Sequence, residues 1–213
     1  MRVERVGMDA VPHLEGRWAV TLGTFDGVHR GHQAVLRSLA GAAGEAGTAG
    51  ACALTFDPHP RAFLEGGPGP ELLTTVDERA RLLAGAGVDV LLVITFDERV
   101  ATTAFDDFVR DVLLDRLGMC HFVLGHDVHF GRGRGGNAHS VRTMAAHAHF
   151  TTEEVASTTL DGAPVSSTRI RHALSEGDLA TAIRLFGHPY LIAGPVVRGR
   201  GLGRQLGFAT ANV

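Results

Sequence analysis

The chain has 213 residues, 45% of them apolar and 20% charged, which is enough for one sizeable core or for one domain and a fragment of a second. A net charge of −3 with no basic tract gives a nucleic-acid partner little electrostatic support. No window approaches about 18 uninterrupted apolar residues and MRVERVGMDA lacks a signal-peptide core, so a cytoplasmic protein with no membrane partner is expected. All 20 basic residues are arginine, so any cation that grips phosphate here is Arg, His or a metal ion. Cys52 and Cys120 lie in apolar runs, too few and too far apart for a disulfide framework, and read as packing residues.

Residues 1–17 read as a lead-in with an edge strand and a turn at Pro12 and Glu15–Gly16. Ala19–Leu22 is a short buried strand, a turn built from Gly23, Asp26 and Gly27 follows, and Arg30 to about Ala43 is patterned as a helix. Strand, glycine-bearing turn and helix together point backbone N–H groups at an anion. The segment TLGTFDGVHRGH lacks the Gly-Lys-Ser/Thr end of a Walker A loop and is not the G-x-G-x-x-G fingerprint. His29 and His32, spaced i, i+3, fall on one side of the helix N-terminus. Beside the positive end of the dipole they suit a polyphosphate, whose charge grows on a leaving pyrophosphate. Two histidines in an isolated turn would read as a local cap or as surface polarity.

Gly50–Phe56 is a second strand, running into Asp57-Pro58-His59-Pro60, whose prolines set an extended, non-helical loop. That loop lies at the strand's C-terminal end, the edge where open α/β sheets bind ligands. Gly66–Pro70 is a loop, and Thr75–Ala86 a helix with Asp77 and Glu78 in its first turn. Val88–Phe96 is apolar enough to be a central strand buried on both faces. Thr103–Leu117 reads as a second strong helix whose Phe105, Phe108, Val109, Val112 and Leu113 belong to the core. Cys120–Gly125 is a strand, followed by His126–Gly131 and a glycine- and arginine-rich loop over Arg132–Asn137. A helix from Ser140 to about His147 and a strand over Phe150–Val155 come next. In Val165-Ser166-Ser167-Thr168-Arg169-Ile170-Arg171, capping is the ordinary role of the hydroxyls. With Arg169 and Arg171 beside a helix N-terminus, the same stretch makes a second phosphate site. Asp178–Phe186 is a further helix, ended by His188-Pro189-Tyr190. The alternation predicts an α/β fold with a mostly parallel sheet and its motifs at the C-terminal edge. The histidine groups His121/His126/His129 and His139/His147/His149 have no cysteine or paired carboxylate to complete a ligand set, so no protein-held metal is expected.

His-x-Gly-His directly after a strand and Phe-Asp-Gly resembles the signature of the H-x-G-H nucleotidyltransferase superfamily. GTFDGVHRGHQ, TFDPHP, GVD, GHDVHFG, VSSTRIR and GDLATAIRLFGHPY occur in the order seen in prokaryotic FAD synthetases, usually bifunctional riboflavin kinase/FMN adenylyltransferases. The resemblance spans residues 1–190 almost without a gap. It implies a Rossmann-like open sheet with helices on both faces, an adenylyltransferase domain over 1–187, and in 188–213 the truncated β start of a riboflavin kinase barrel. The implied reaction is transfer of AMP from ATP to FMN, giving FAD and pyrophosphate, with Mg²⁺ accompanying ATP.

By the same resemblance His29, Gly31 and His32 bind the ATP phosphates. Gly23, Thr24, Phe25 and Asp26 line the nucleotide pocket, with Gly125 and Asp127 in the same set. Ser167, Thr168 and Arg171 close over the phosphates. Thr55, Phe56, Asp57, Pro58, His59, Pro60 and Phe130 border the flavin and its phosphate, where Asp127 also reaches. Val128 stands where the family commonly has Phe, and Asn137 where it commonly has Asp. These two keep alternatives open: another phosphorylated acceptor, CTP as donor, or a non-catalytic flavin- or nucleotide-binding paralogue. The family's Pro-Thr-Ala-Asn kinase motif reads Ala209-Thr210-Ala211-Asn212 here, one residue from the last. Residues 190–213 cannot close a barrel, so these strands are expected to lack partners and the chain to lack kinase activity. Oligomeric state has no signal in the sequence.

Overall fold

The computed structural model describes every residue except 46, 193, 201 and 209–213. Its frame is six strands: β1 (Arg2–Val6), β2 (Trp18–Leu22), β3 (Gly50–Asp57), β4 (Val90–Thr95), β5 (Met119–Gly125) and β6 (Thr151–Val155). They pair in the order β1-β4-β3-β2-β5-β6, every neighbouring pair parallel. The two strands with the most continuous apolar runs, β3 and β4, are interior and buried on both faces, while β6 is an edge with mostly exposed residues.

Side-chain alternation sends consecutive residues to opposite faces and so builds two cores. Leu92 and Ile94 join Leu54, Phe122, Val109 and Leu113 on one face. Leu91 and Val93 join Ala53, Val123, Leu36 and Leu39 on the other. The second face is covered by α1 (Arg30–Ala43), at the bounds its periodicity implies. Cys52 is a packing residue of the first face, its thiol pushed up to about 12 by burial, and the Cys120 thiol donates to the Trp18 carbonyl at 3.4 Å.

Three local departures have identifiable causes. The Asp57–His59 stretch is extended with a cis Asp57–Pro58 bond, but Pro60 opens α2 (Pro60–Leu64) with His59 as its cap. Proline fits a first helical position, where its fixed φ is helical and its missing N–H would have had no partner. The helix α3 (Val76–Gly85) begins where expected, its Thr75 and Glu78 closing a capping box. The helix expected over Thr103–Leu117 forms from Phe105 to Leu114, with π-helical turns in most of it, and a short helix that the sequence did not signal precedes it. Asp97 caps α4 (Glu98–Thr102), and α5 (Phe105–Asp107) runs on as π-helical turns over Phe108–Leu114. The two part at Thr103, whose carbonyl accepts from the Arg132 N–H at 2.7 Å instead of continuing a helix.

Farther along, α6 (Ala138–Ala145) starts ahead of Ser140 because Asn137 caps it. A small hairpin of β7 (Thr159–Leu160) and β8 (Ala163–Pro164), unsignalled in the sequence, precedes α7 (Ser167–Ser175) and α8 (Leu179–Phe186). Beyond Tyr190, α9 (Leu202–Gln205) is described, and the Ala209-Thr210-Ala211-Asn212 motif lies outside the described residues. Among the described residues no helix is long and apolar enough to cross a membrane.

Candidate active site

Strand order reverses at β2, which leads through α1 to β3 on one side and is flanked by β5 on the other. Such a switch point leaves a crevice at the C-terminal ends of the strands. A cavity of about 480 Å³ opens here, within the roughly 300–1,000 Å³ range of small-ligand sites. Its walls include His29, His32, Ser167, Thr168 and Arg171, the residues assigned above to phosphate chemistry. Gly23, Thr24, Phe25, Gly31, Gly125 and Asp127 of the nucleotide set also line it, as do Phe56, His59 and Pro60.

The histidine pair is built by the start of α1. His29 caps the helix, its Nδ1 accepting from the His32 N–H at 3.3 Å. With Nδ1 an acceptor, the proton of the neutral ring sits on Nε2. The two rings stack with centroids 3.6 Å apart and planes at 13°. Gly31 permits this, since a Cβ there would stand 3.1 Å from the His29 ring. Burial lowers the pKa of His29 from 6.5 to about 4, although Asp127 and Asp26 pull it back. His32 is pushed well below its ordinary value, first by burial and then by His29 and Arg79. Both imidazoles are therefore neutral near pH 7. The Nδ1 of His32 is buried with no partner among the described residues, and the N–H groups of Arg30 and Gly31 open the helix with no carbonyl one turn back to bond.

Asp26 does not line the cavity; it ties its walls together. Its side chain, 1% exposed, accepts from the N–H groups of Leu73 and Thr74 and pairs with Arg171. Arg79, 3% exposed, stands 3.8 Å away on the other side. Ser167 Oγ donates to the Asp26 carbonyl at 2.9 Å, so the Phe25–Gly27 turn, the strap before α3 and the start of α7 meet at one residue. Thr55 is interior too: it donates to the Thr24 carbonyl at 3.0 Å and accepts from Arg79 at 3.1 Å. Asp57 and Pro58 are likewise off the cavity wall, with Asp57 facing Arg5 at 3.7 Å. Arg169 also faces away, donating to the Leu160 and Ala163 carbonyls of the β7–β8 hairpin, which leaves Arg171 as the arginine of that motif at the cavity.

Phe130 lines a second, apolar chamber of about 270 Å³ with Phe96 and Phe108, and Phe56, Pro60, Leu64, His129 and Arg134 border both spaces. Phe108 thus serves the core and a cavity wall at once. Two residues escaped the sequence reading. Arg79 had a signal, a charge on the buried stripe formed with Ala80 and Leu83. Arg134 was visible only as one of the two arginines of a glycine-rich loop. Asn137 acquires a specific role: its side chain accepts from the N–H groups of His139 and Ser140 and closes a capping box. Asp and Asn cap equally well, and Asn137 lines neither of these two spaces. Val128 does line the main cavity. Among the described residues no group of three or more His, Cys, Asp or Glu side chains is placed to hold a metal ion.

Comparison with known proteins gives a consistent picture. The profile of FAD synthetase matches residues 12–169 and that of riboflavin kinase residues 186–213. The bifunctional riboflavin kinase/FMN adenylyltransferase of Pseudomonas fluorescens is 42% identical over 193 residues, covering 91% of this chain and 61% of that protein. Its namesake from Escherichia coli K12 is 37% identical over 194 residues, covering 91% and 62%. The chain thus spans about three fifths of the length of these curated relatives. A solved structure described as a macrolide-efflux protein from Streptococcus pneumoniae has the same fold, with a TM-score of 0.86 at 26% identity over 100% of this chain and 68% of that one. With the FAD synthetase profile covering most of its length and its sheet and cavity built from the same stretches, the chain belongs to the FAD synthetase family.

Proposed function

We propose that this chain transfers AMP from ATP to FMN, releasing pyrophosphate and forming FAD. The observation that carries the reading is the joining of two unlike chambers. One, of mixed lining, is floored by the polar His29/His32 stack and the α1 N-terminus, and an aromatic one is walled by Phe96, Phe108 and Phe130. A flavin ring suits the second and a polyphosphate the first, so the reacting phosphates would meet at the shared wall.

In this scheme an oxygen of the FMN phosphate attacks the α-phosphorus of ATP, and the bond to the β-bridging oxygen breaks as pyrophosphate leaves. A phosphate monoester is already ionised, so no strong base is needed, and alignment and charge stabilisation do most of the work. His29 and His32 present ring N–H groups beside the free N–H groups of Arg30 and Gly31, where negative charge on the leaving group is favoured. Arg171, held by Asp26, and the Ser167 and Thr168 hydroxyls face them from α7. The donor set fits Mg²⁺ arriving with ATP: one carboxylate, Asp127, lines the cavity beside space for phosphate oxygens and water. Bound there, the ion would neutralise phosphate charge.

On this reading residues 1–187 form the adenylyltransferase domain of a cytoplasmic enzyme, and 188–213 the start of a riboflavin kinase barrel. A protein of these 213 residues is expected to make no FMN from riboflavin. The test is purified protein with Mg²⁺-ATP and FMN, followed for FAD and pyrophosphate by chromatography, with riboflavin, CTP and the His29→Ala/His32→Ala variant in parallel. FAD from FMN alone, lost in the double variant, is the expected outcome. ATP binding without FAD formation would refute the acceptor, and flavin binding without ATP or CTP binding would refute the enzyme.

A further inference from the structure

We propose that Arg134 grips the phosphate monoester of the acceptor and so selects a flavin mononucleotide over the unphosphorylated flavin. The inference rests on the acceptor reading above and adds to it the residue that sets its specificity.

Charge accounting within the cleft leads there. The chain has no lysine, so permanent cations are arginines, and three line the main cavity: Arg61, Arg134 and Arg171. Arg171 is committed to Asp26 and the Glu71 carbonyl. Arg61 bonds Glu65 at 2.7 Å. Arg134 has no acidic partner among the described residues, and it alone of the three also lines the aromatic chamber. Burial leaves His29, His32 and His59 with lowered pKa values, so none of these three supplies full charge at pH 7. A flavin seated among Phe96, Phe108 and Phe130 would send its anionic tail through the wall the chambers share. Arg134 stands in that wall, and a guanidinium can meet phosphate oxygens with two parallel N–H donors.

The backbone holds it there. Phe130 and Gly136 exchange both of their hydrogen bonds, at 3.0 and 2.9 Å, and the Arg134 N–H donates to the Gly131 carbonyl at 3.0 Å. Gly133 and Arg134 both occupy the left-handed region, with φ of 63° and 61°. Glycine is the ordinary residue for such a position, yet a long charged side chain occupies the second of the two. Arg132, two residues earlier, lines neither chamber; it borders a separate cleft with Asp9 and Arg116.

Arg134→Gly keeps the turn and removes the guanidinium, so a failure to fold does not confound the experiment. Flavin fluorescence titrations would compare FMN with riboflavin on wild type, Arg134→Gly, Arg134→Lys and Arg132→Ala, and calorimetry would follow Mg²⁺-ATP on each. Wild type is expected to prefer FMN by about ten- to a hundredfold, the range of a charge-assisted contact. Arg134→Gly should bind FMN and riboflavin equally, with riboflavin and ATP affinities unchanged; Arg134→Lys should recover part of the preference and Arg132→Ala all of it. The assignment is overturned by a preference that survives in Arg134→Gly, by an equal loss in Arg132→Ala, or by a variant that weakens ATP instead of FMN. It is likewise overturned if wild type binds both flavins alike. Wild type that binds neither flavin refutes the acceptor reading itself, a separate failure visible in the same titration.

Discussion

Acid should destabilise this protein through the histidine that caps α1. An unfolded imidazole titrates at 6.5, whereas burial holds folded His29 at about 4. Between those values the unfolded chain binds a proton that the folded chain refuses. The stability that neutral His29 confers is therefore fully present above pH 6.5 and is lost as pH falls toward 4. At 1.36 kcal/mol per pH unit the complete loss is about 3 kcal/mol, and roughly 1 kcal/mol of it appears by pH 5.5. His32, lowered in the same direction, adds to the trend. The assay is urea unfolding of wild type and His29→Asn at pH 7.5, 6.5, 5.5 and 4.5. Asparagine caps a helix start without titrating, and carboxylates common to both proteins cancel in the difference. The free-energy difference between the two should move in favour of the variant by about 1 kcal/mol from pH 7.5 to 5.5 and further by 4.5. A difference independent of pH would refute the argument that burial, uncompensated by Asp127 and Asp26, sets the state of this ring.

Three other outcomes follow from the contacts around the cleft. Asp26→Asn strands two arginines against a buried amide and should cost about 3–5 kcal/mol, read from urea midpoints; Asp26→Asn with Arg79→Met should cost less than the two single changes added together, because they act on one network. Gly31→Ala should leave thermal stability at or above wild type, since alanine favours a helix, yet lower turnover roughly tenfold by displacing the His29 ring; unchanged turnover would show the ring position to be uncritical. Asn137→Asp should fold and form FAD as wild type does, while Asn137→Ala should lose about 1 kcal/mol of stability. A large change of acceptor preference in Asn137→Asp would show that this side chain does more than cap α6.

Elements with strong periodicity and clear caps were legible in the sequence: α1, α3 and the interior strands lie close to their expected bounds, because pattern and propensity agree there. The short α4 ahead of Thr103 and the π-helical turns were not; the separation of α4 from α5 goes with a Thr103 carbonyl claimed by Arg132 from a loop nearly thirty residues on. The site was legible as a set of motifs, since glycine-bearing turns and helix starts announce where N–H groups are free. What each side chain is committed to was hidden. Residue type alone does not rank Arg134, Arg169 and Arg171; the family pattern singles out Arg171, and the other two read only as arginines near a glycine-rich loop and a helix start. Arg169 is spent on the carbonyls of a hairpin, and Arg171 holds the carboxylate that joins three walls of the cavity. Arg134 faces both chambers with no acidic partner among the described residues. Asp26 shows the converse, for an acid inside a phosphate motif reads as a ligand contact until its hydrogen bonds are counted. If the cleft receives polyanions, as proposed, burying this acid serves it: its charge holds two arginines in place while its oxygens stay off the cavity wall.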